Sequence, residues 1–213
     1  GRRYDGGHSW TRKHLDWISG QSFQEEAQQR VLVDYVHALE EAEKRVERTS
    51  QDIGELLESW KEAPLVKALQ GLRGVSQIGA VIIVAENGDF RRFEDPRHLM
   101  SYLGLVPSEH STGETTRRGR ITRTGNTHAR RMLVESAWSY RFPPRMSVEL
   151  RRRNEGLAPG VQEIAWKAQL RLHKRYTRLL AKGKNKQQTI TAVARELAGF
   201  IWAISRESKL LAG

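Results

Sequence analysis

The chain has 213 residues, 36 Lys plus Arg against 25 Asp plus Glu, a formal net charge of +11 and no cysteine. That length accommodates one or two domains with their own cores, and the lack of thiols excludes a disulfide scaffold and thiolate zinc sites and fits a reducing compartment. No run approaches the roughly 18 apolar residues needed to span a bilayer, and nothing reads as a signal peptide, so a cytoplasmic protein is expected. The chain opens on Gly1 and not on Met, which reads as a fragment of a longer protein.

Charge is unevenly distributed. Residues 24–62 carry eleven acids against five bases, whereas residues 91–186 carry twenty-two bases against eight acids. An acidic segment joined to a strongly basic one points to a localised surface for a polyanion.

In chain order, Ser22 and Glu25 form a capping box that predicts a helix start. From there Leu32, Tyr35, Leu39, Ala42, Val46, Thr49, Ile53, Leu56 and Trp60 recur in steps of three and four, the seam of a coiled coil. Such a seam asks for a partner helix, either from a second chain or from the shorter pattern at Trp10–Ile18 folding back. Pro64 opens a short helix ending at Gly71, Gly74 sits in a tight turn, and "IGAVIIVAEN" continues as a helix that Gly88 stops. This is a helix-hairpin-helix-like unit whose turn, with Gly74, is expected to hold a backbone phosphate. Asp95-Pro96 starts another short helix, and Asn126 caps one running through "THARRMLVESAWSYR". Two long helices, from about Pro159 to Lys182 and from about 187 to 206, close the chain.

The expected fold is therefore mainly α. A helical linker with a coiled-coil stalk (1–63) precedes a helical domain (64–213) that carries a basic Gly/Ser/Thr/Arg loop.

That loop, "LGLVPSEHSTGETTRRGRITRTGNTHARR", begins at Leu103 and reads as irregular up to Gly125. Ser108, Ser111, Thr112, Thr115, Thr116 and Thr122 offer hydroxyls, and Arg117, Arg118, Arg120 and Arg123 offer bidentate phosphate clamps. Gly113 and Gly119 permit close backbone approach. A nucleophilic hydroxyl beside positive charge is what transesterification at a phosphodiester requires. The plainer reading is that the hydroxyls make local turns while the arginines contact phosphate. Scattered histidines and sparse acids predict no metal centre within these residues, and no G-x-x-x-x-G-K-[ST] loop predicts nucleotide hydrolysis.

"LRGVSQIGAVIIVAENGDFRRF" followed by "LMSYLGLVPSEHSTGETTRRGRITRTGNTHARRMLVESAW" resembles the C-terminal domain of the Piv/MooV-type DNA invertases and the related insertion-sequence transposases of the IS-one-ten class. The resemblance spans residues 72–138: a Gly-Val hairpin, an aromatic before a short helix, Y-L-G-L-x-P, a serine near a glycine, a basic stretch, then G-N and paired arginines. It implies a transposase or site-specific recombinase with an N-terminal acidic domain binding Mg²⁺, a coiled-coil linker and a C-terminal domain supplying a serine. That serine would attack DNA to form a covalent phosphoserine intermediate, guided by a structured RNA. In this chain it maps to Ser111, with Gly113, Arg120, Gly125, Asn126, Arg130 and Arg131 beside it. Thr112 stands where many members have glycine, so Ser108 remains a rival, and Gly74-Val75-Ser76 replaces the usual G-[IV]-G. The resemblance further implies DNA and guide RNA as partners, a homo-oligomer formed through the stalk, and a nucleoid-associated prokaryotic protein when DNA is bound. This fragment alone, without the acidic domain, is expected to bind without turnover. The alternative is a non-catalytic helical module that binds DNA or RNA and dimerises.

Overall fold

The computed structural model describes residues 2–112 and 115–210, except the side chains of 110–118 and 208–210. The described residues form a mainly α protein with one small antiparallel sheet, and they divide into two compact units at Leu56/Leu57.

The first unit contains α1 (Arg12–Ser19) and most of α2 (Glu26–Ser59). Thr11 caps α1 by accepting from the His14 N–H. The Trp10–Ile18 pattern does lie along the stalk: Trp10, Leu15 and Ile18 face Val36 and Leu39 across a shared cleft. No residue of α2 is buried, and the seam residues Tyr35 and Val46 are 72% and 66% exposed. The heptad pattern is thus only partly covered among the described residues: α1 lies against Val36 and Leu39, while Tyr35, Val46 and Leu56 stay exposed.

The second unit runs from Leu57. Its helices are α3 (Ala63–Leu69), α4 (Gln77–Asn87), α5 (Pro96–Tyr102), α6 (Thr127–Ala137), α7 (Val148–Asn154), α8 (Pro159–Ala181) and α9 (Lys186–Leu210). Local chemistry sets most of their ends. Ser76 accepts from the Gly79 N–H, Asp95 from Arg97 and His98, Asn126 from Ala129, and Ser147 from Leu150. Gly88 ends α4 at φ +62°, a conformation open to glycine. The backbone N–H of His98, seconded by that of Arg97, holds the Asp95 carboxyl below the usual carboxylate range.

The core is organised around α9, which packs against α3, α5, α6 and α8. Ile190, Val193, Ala194, Leu197, Ala198, Ile201 and Ile204 are all buried, a broad apolar face in steps of three and four with two alanines that admit close neighbours. Leu133 and Ala137 from α6 and Leu172 from α8 meet it, and the Trp202 indole N–H and Arg206 both donate to the Phe93 carbonyl.

Two expectations are corrected. The segment read as an irregular loop is a β-hairpin, β1 (Pro107–Thr112) with β2 (Thr115–Ile121), registered with His110 opposite Arg117 and Ser111 opposite Thr116. Its residues are polar on both faces, so no apolar alternation advertises the strands, although β-branched Thr115, Thr116 and Ile121 favour them. The second correction is α7, which the proline pair Pro143–Pro144 hides. Its signals are nonetheless present: Ser147 caps, Glu149 sits in the first turn and three arginines in the last.

Leu197→Ala should lower stability by about 2–5 kcal/mol, because it opens a cavity where five helices meet. Val148→Ala, at a side chain 87% exposed, should change it by less than about 0.5 kcal/mol. Urea midpoints with an unchanged m-value are the check.

Candidate nucleic-acid interface

The hairpin stands on a junction made of backbone packed on backbone. Gly104 (φ +63°) and Gly125 (φ +76°) lie at its two feet. A Cβ on Gly104 would sit 2.2 Å from the Thr124 carbonyl oxygen, and one on Gly125 would sit 1.8 Å from that of Tyr102. No other residue fits either place. Two further bonds stitch the feet together, Thr122 N–H to the Val106 carbonyl and Arg123 N–H to Gly104, and a third, Leu105 N–H to Met100, ties the first foot to α5.

Arg130, on the second turn of α6, locks this junction. Its Nη1 donates to the carbonyls of Leu103 at 3.0 Å and Thr124 at 2.9 Å, and its Nη2 to Thr127 Oγ1 at 3.3 Å. The guanidinium is therefore engaged by the protein's own backbone and the Thr127 hydroxyl. Arg131, one residue on, is exposed.

Asn126 has two roles. Its Oδ1 accepts from the Ala129 N–H at 2.9 Å, while its amide donates to Glu86 Oε2 on α4. Glu86 Oε1 lies 3.6 Å from His128 Nδ1. Glu86, which sequence reasoning left as a surface or capping acid, thus ties α4 to the start of α6. Only its position at the end of an apolar helix could have hinted at this.

Within the hairpin, Ser108 on β1 faces two residues of β2, Gly119 and Arg120, where the register shifts. This is a β-bulge, and Gly119 leaves room in it for the Ser108 hydroxyl, since a Cβ there would fall 2.4 Å from Ser108 Oγ and make that side chain turn. Ser108 is half-buried against that glycine, while Arg120 and Arg123 are exposed. Arg123 adopts φ +57°, a left-handed conformation that costs a side-chain-bearing residue about 1–2 kcal/mol. Ser111 occupies β1 and Arg117 and Arg118 occupy β2, with their side chains outside the described residues; Gly113 lies outside them entirely.

Gly74 lies outside this hairpin, in the turn between α3 and α4. At φ +84° it packs on α6, where a Cβ would lie 2.4 Å from the Ser136 carbonyl oxygen. The turn around it is held by Asn154, which donates to the Gly71 carbonyl, and by Arg153, which donates to that of Val75 at 2.7 Å. Burial pushes the Arg153 guanidinium down and Glu149 pushes it up. The Ser76 hydroxyl already accepts one of the first free amides of α4. Among the described residues no three His, Asp or Glu side chains converge where a metal could be held. No helix of the described residues is long and apolar enough to cross a membrane.

Against known proteins, residues 66–148 match the model of the "Transposase IS116/IS110/IS902 family". The chain is 48% identical over 209 residues to "Putative transposase y4qE" of Sinorhizobium fredii, an alignment covering 98% of this chain and 50% of that protein. It is 29% identical over 177 residues to "Transposase for insertion sequence element IS1533" of Leptospira borgpetersenii, covering 82% of this chain and 51% of the relative. A shorter likeness, 33% over 69 residues, is to "Transposase for insertion sequence element IS1111A" of Coxiella burnetii, 32% of this chain and 19% of that protein. The chain spans about half the length of the first two relatives.

Arg130→Ala should cost about 2–4 kcal/mol, since it leaves two carbonyls without their charged donor, and Arg130→Lys should recover little because one ammonium cannot reproduce the fork. Amide hydrogen exchange should show the loss first at Leu105, Thr122 and Arg123.

Proposed function

We propose, since this chain belongs to the IS116/IS110/IS902 transposase family, that it is the linker and C-terminal portion of a DNA transposase whose hairpin receives a phosphodiester. One observation carries the reading. The matched segment, residues 66–148, includes the whole hairpin, and the junction of Gly104, Gly125 and Arg130 anchors that hairpin rigidly on a helical body. A site that must hold a reacting phosphorus needs such an anchor.

On this reading Ser111 Oγ attacks phosphorus, an Oγ–P bond forms and one P–O ester bond of the DNA breaks. The departing oxygen carries the proton as a hydroxyl. One phosphodiester replaces another, so the strand is rejoined by the reverse attack of a DNA hydroxyl. Arg117, Arg118 and Arg120 neutralise the charge of the pentacovalent phosphate. Asn126 acts as cap and positioner of α6, and Arg130 positions the hairpin feet. Guidance by a structured RNA belongs to the same proposal, as does Mg²⁺ held by parts of the parent protein beyond these residues. Isolated, this portion binds nucleic acid without turning it over.

The stalk completes the picture. The exposed seam of α2, with Tyr35, Val46 and Leu56, is the face by which two copies assemble. Tyr35→Asp with Val46→Asp should convert the oligomer to a monomer in sedimentation velocity, with the helicity of the chain unchanged.

The chemistry is tested in the parent protein with its guide RNA, Mg²⁺ and target DNA, by looking for a denaturation-resistant protein–DNA adduct. We expect the adduct in wild type and in Ser108→Ala, and none in Ser111→Ala. Loss with Ser108→Ala alone would move the nucleophile to the bulge. Tight binding with no adduct in wild type would favour a non-catalytic binding module.

A further inference from the structure

A second basic feature lies beside the hairpin and not on its tip. A groove of about 750 Å³ separates the hairpin base from the first turns of α9. Leu105, Pro107, Ile121 and Ala192 form its apolar floor. Four cations rim it: Arg120 and Arg123 from the hairpin side, Lys184 and Arg195 from the helix side. No Asp or Glu lines the groove, and none of the four has an ion-pair partner among the described residues. The contrast with the neighbouring turn of α9 is sharp, because there Glu196 engages both Arg171 and Arg175.

Two features of the backbone aim cations into this groove. The bulge at Gly119–Arg120 interrupts the strand alternation, and Arg120 lines the groove as a result. Arg123 is held in a left-handed conformation by its own N–H bond to Gly104 and by the Arg130 clamp on Thr124. On the opposite wall Gln188, Thr191 and Arg195 follow in steps of three and four with Gln187 beside them, so they form one stripe along α9. These side chains offer donors and acceptors, not a second apolar wall.

We infer that this groove binds the sugar–phosphate backbone of a nucleic-acid strand, with Arg120, Arg123, Lys184 and Arg195 on phosphates and Gln187, Gln188 and Thr191 on sugar or base edges. The inference rests on reading the hairpin as a nucleic-acid site and extends it. Half of the binding surface then comes from α9, which lies outside the 66–148 segment that the family model covers. Unpaired arginines matched by amide and hydroxyl groups favour a phosphodiester over an acidic protein segment, which would present carboxylates without sugars or bases for Gln187, Gln188 and Thr191.

The test is fluorescence anisotropy on this chain with labelled 20-mers of single-stranded DNA, duplex DNA and single-stranded RNA, each over a series of salt concentrations. Wild type is compared with Lys184→Gln/Arg195→Gln, with Arg123→Gly, and with Lys167→Gln/Lys174→Gln on α8 as a charge-matched control. The double groove variant should reduce the slope of log K against log salt by about 1.4 on a single strand or about 1.8 on a duplex. At least one of the three oligomers should show that change, and which one identifies the strand type. Arg123→Gly should reduce the slope by about half as much without loss of thermal stability, because glycine accepts the left-handed backbone. The control pair should leave the slope as in wild type. An unchanged slope in the double variant, with wild type binding well, would overturn the groove and leave the hairpin reading standing. An equal drop in the control would reduce the effect to net charge and also overturn it. A change of oligomeric state in the double variant without a change in slope would assign the groove to a protein partner. Failure of wild type to bind any of the three would overturn the groove and the hairpin reading together.

Discussion

The basic hairpin of this protein stands on a place where no side chain fits. Gly104 and Gly125 bring the two feet of the hairpin into backbone contact with Thr124 and Tyr102, closer than a Cβ would allow. A crossing so tight leaves carbonyls of Leu103 and Thr124 turned toward α6, and Arg130 takes both. A two-stranded hairpin with polar residues on both faces would be marginal alone in water. Here two bonds join the feet to one another, and the helical body holds them through the Leu105–Met100 bond and the Arg130 guanidinium.

The helical body can lend that stability because α9 runs through its middle. Its buried face meets four other helices, while the stripe from Gln187 to Arg195 turns outward beside the hairpin. One helix therefore serves as both the wall of the core and the wall of the groove. A shift of α9 would disturb packing and phosphate geometry together, which couples the stability of the second unit to its proposed binding surface. Glu86 adds a lighter constraint by fixing Asn126 and, with it, the angle at which α6 presents Arg130.

How much of this could be read from residues alone depended on how local the cause was. Caps and stops were legible: Gly88, Asp95 and Asn126 act on amides and carbonyls within four residues, so their neighbours in the chain are their neighbours in space. The long seam of α2 was legible for the same reason, as a period, though a period does not say what covers it. The hairpin was not legible, since its strands have no apolar face to betray a register and its feet are fixed by a contact between positions about twenty residues apart. Arg130 was picked out for its charge and proved to act through its shape. Gly74 was picked out as a glycine in a turn, and its freedom serves close packing on α6. Residues such as Arg195 and Gln187 carried no motif, and only the fold brings them to the hairpin.

That last point bears on how the proposed chemistry is divided. Ser111, Arg117 and Arg118 belong to the paired strands of the hairpin, while the four groove cations flank its base, Arg120 and Arg123 on one side and Lys184 and Arg195 on the other. If a strand lies along the groove, its phosphates are fixed against α9 and the hairpin foot, both braced by the core. The reacting phosphate at Ser111 would then be positioned by binding energy gathered elsewhere along the same strand. An arrangement of this kind favours catalysis, because remote contacts can hold a strand in register while the hairpin keeps room for ends to leave and new ends to enter. It also explains why a rigid foot is needed under a polar hairpin: the groove can orient a phosphate at Ser111 only if the distance between them does not drift, and the Gly104–Thr124 and Gly125–Tyr102 contacts are what hold that distance.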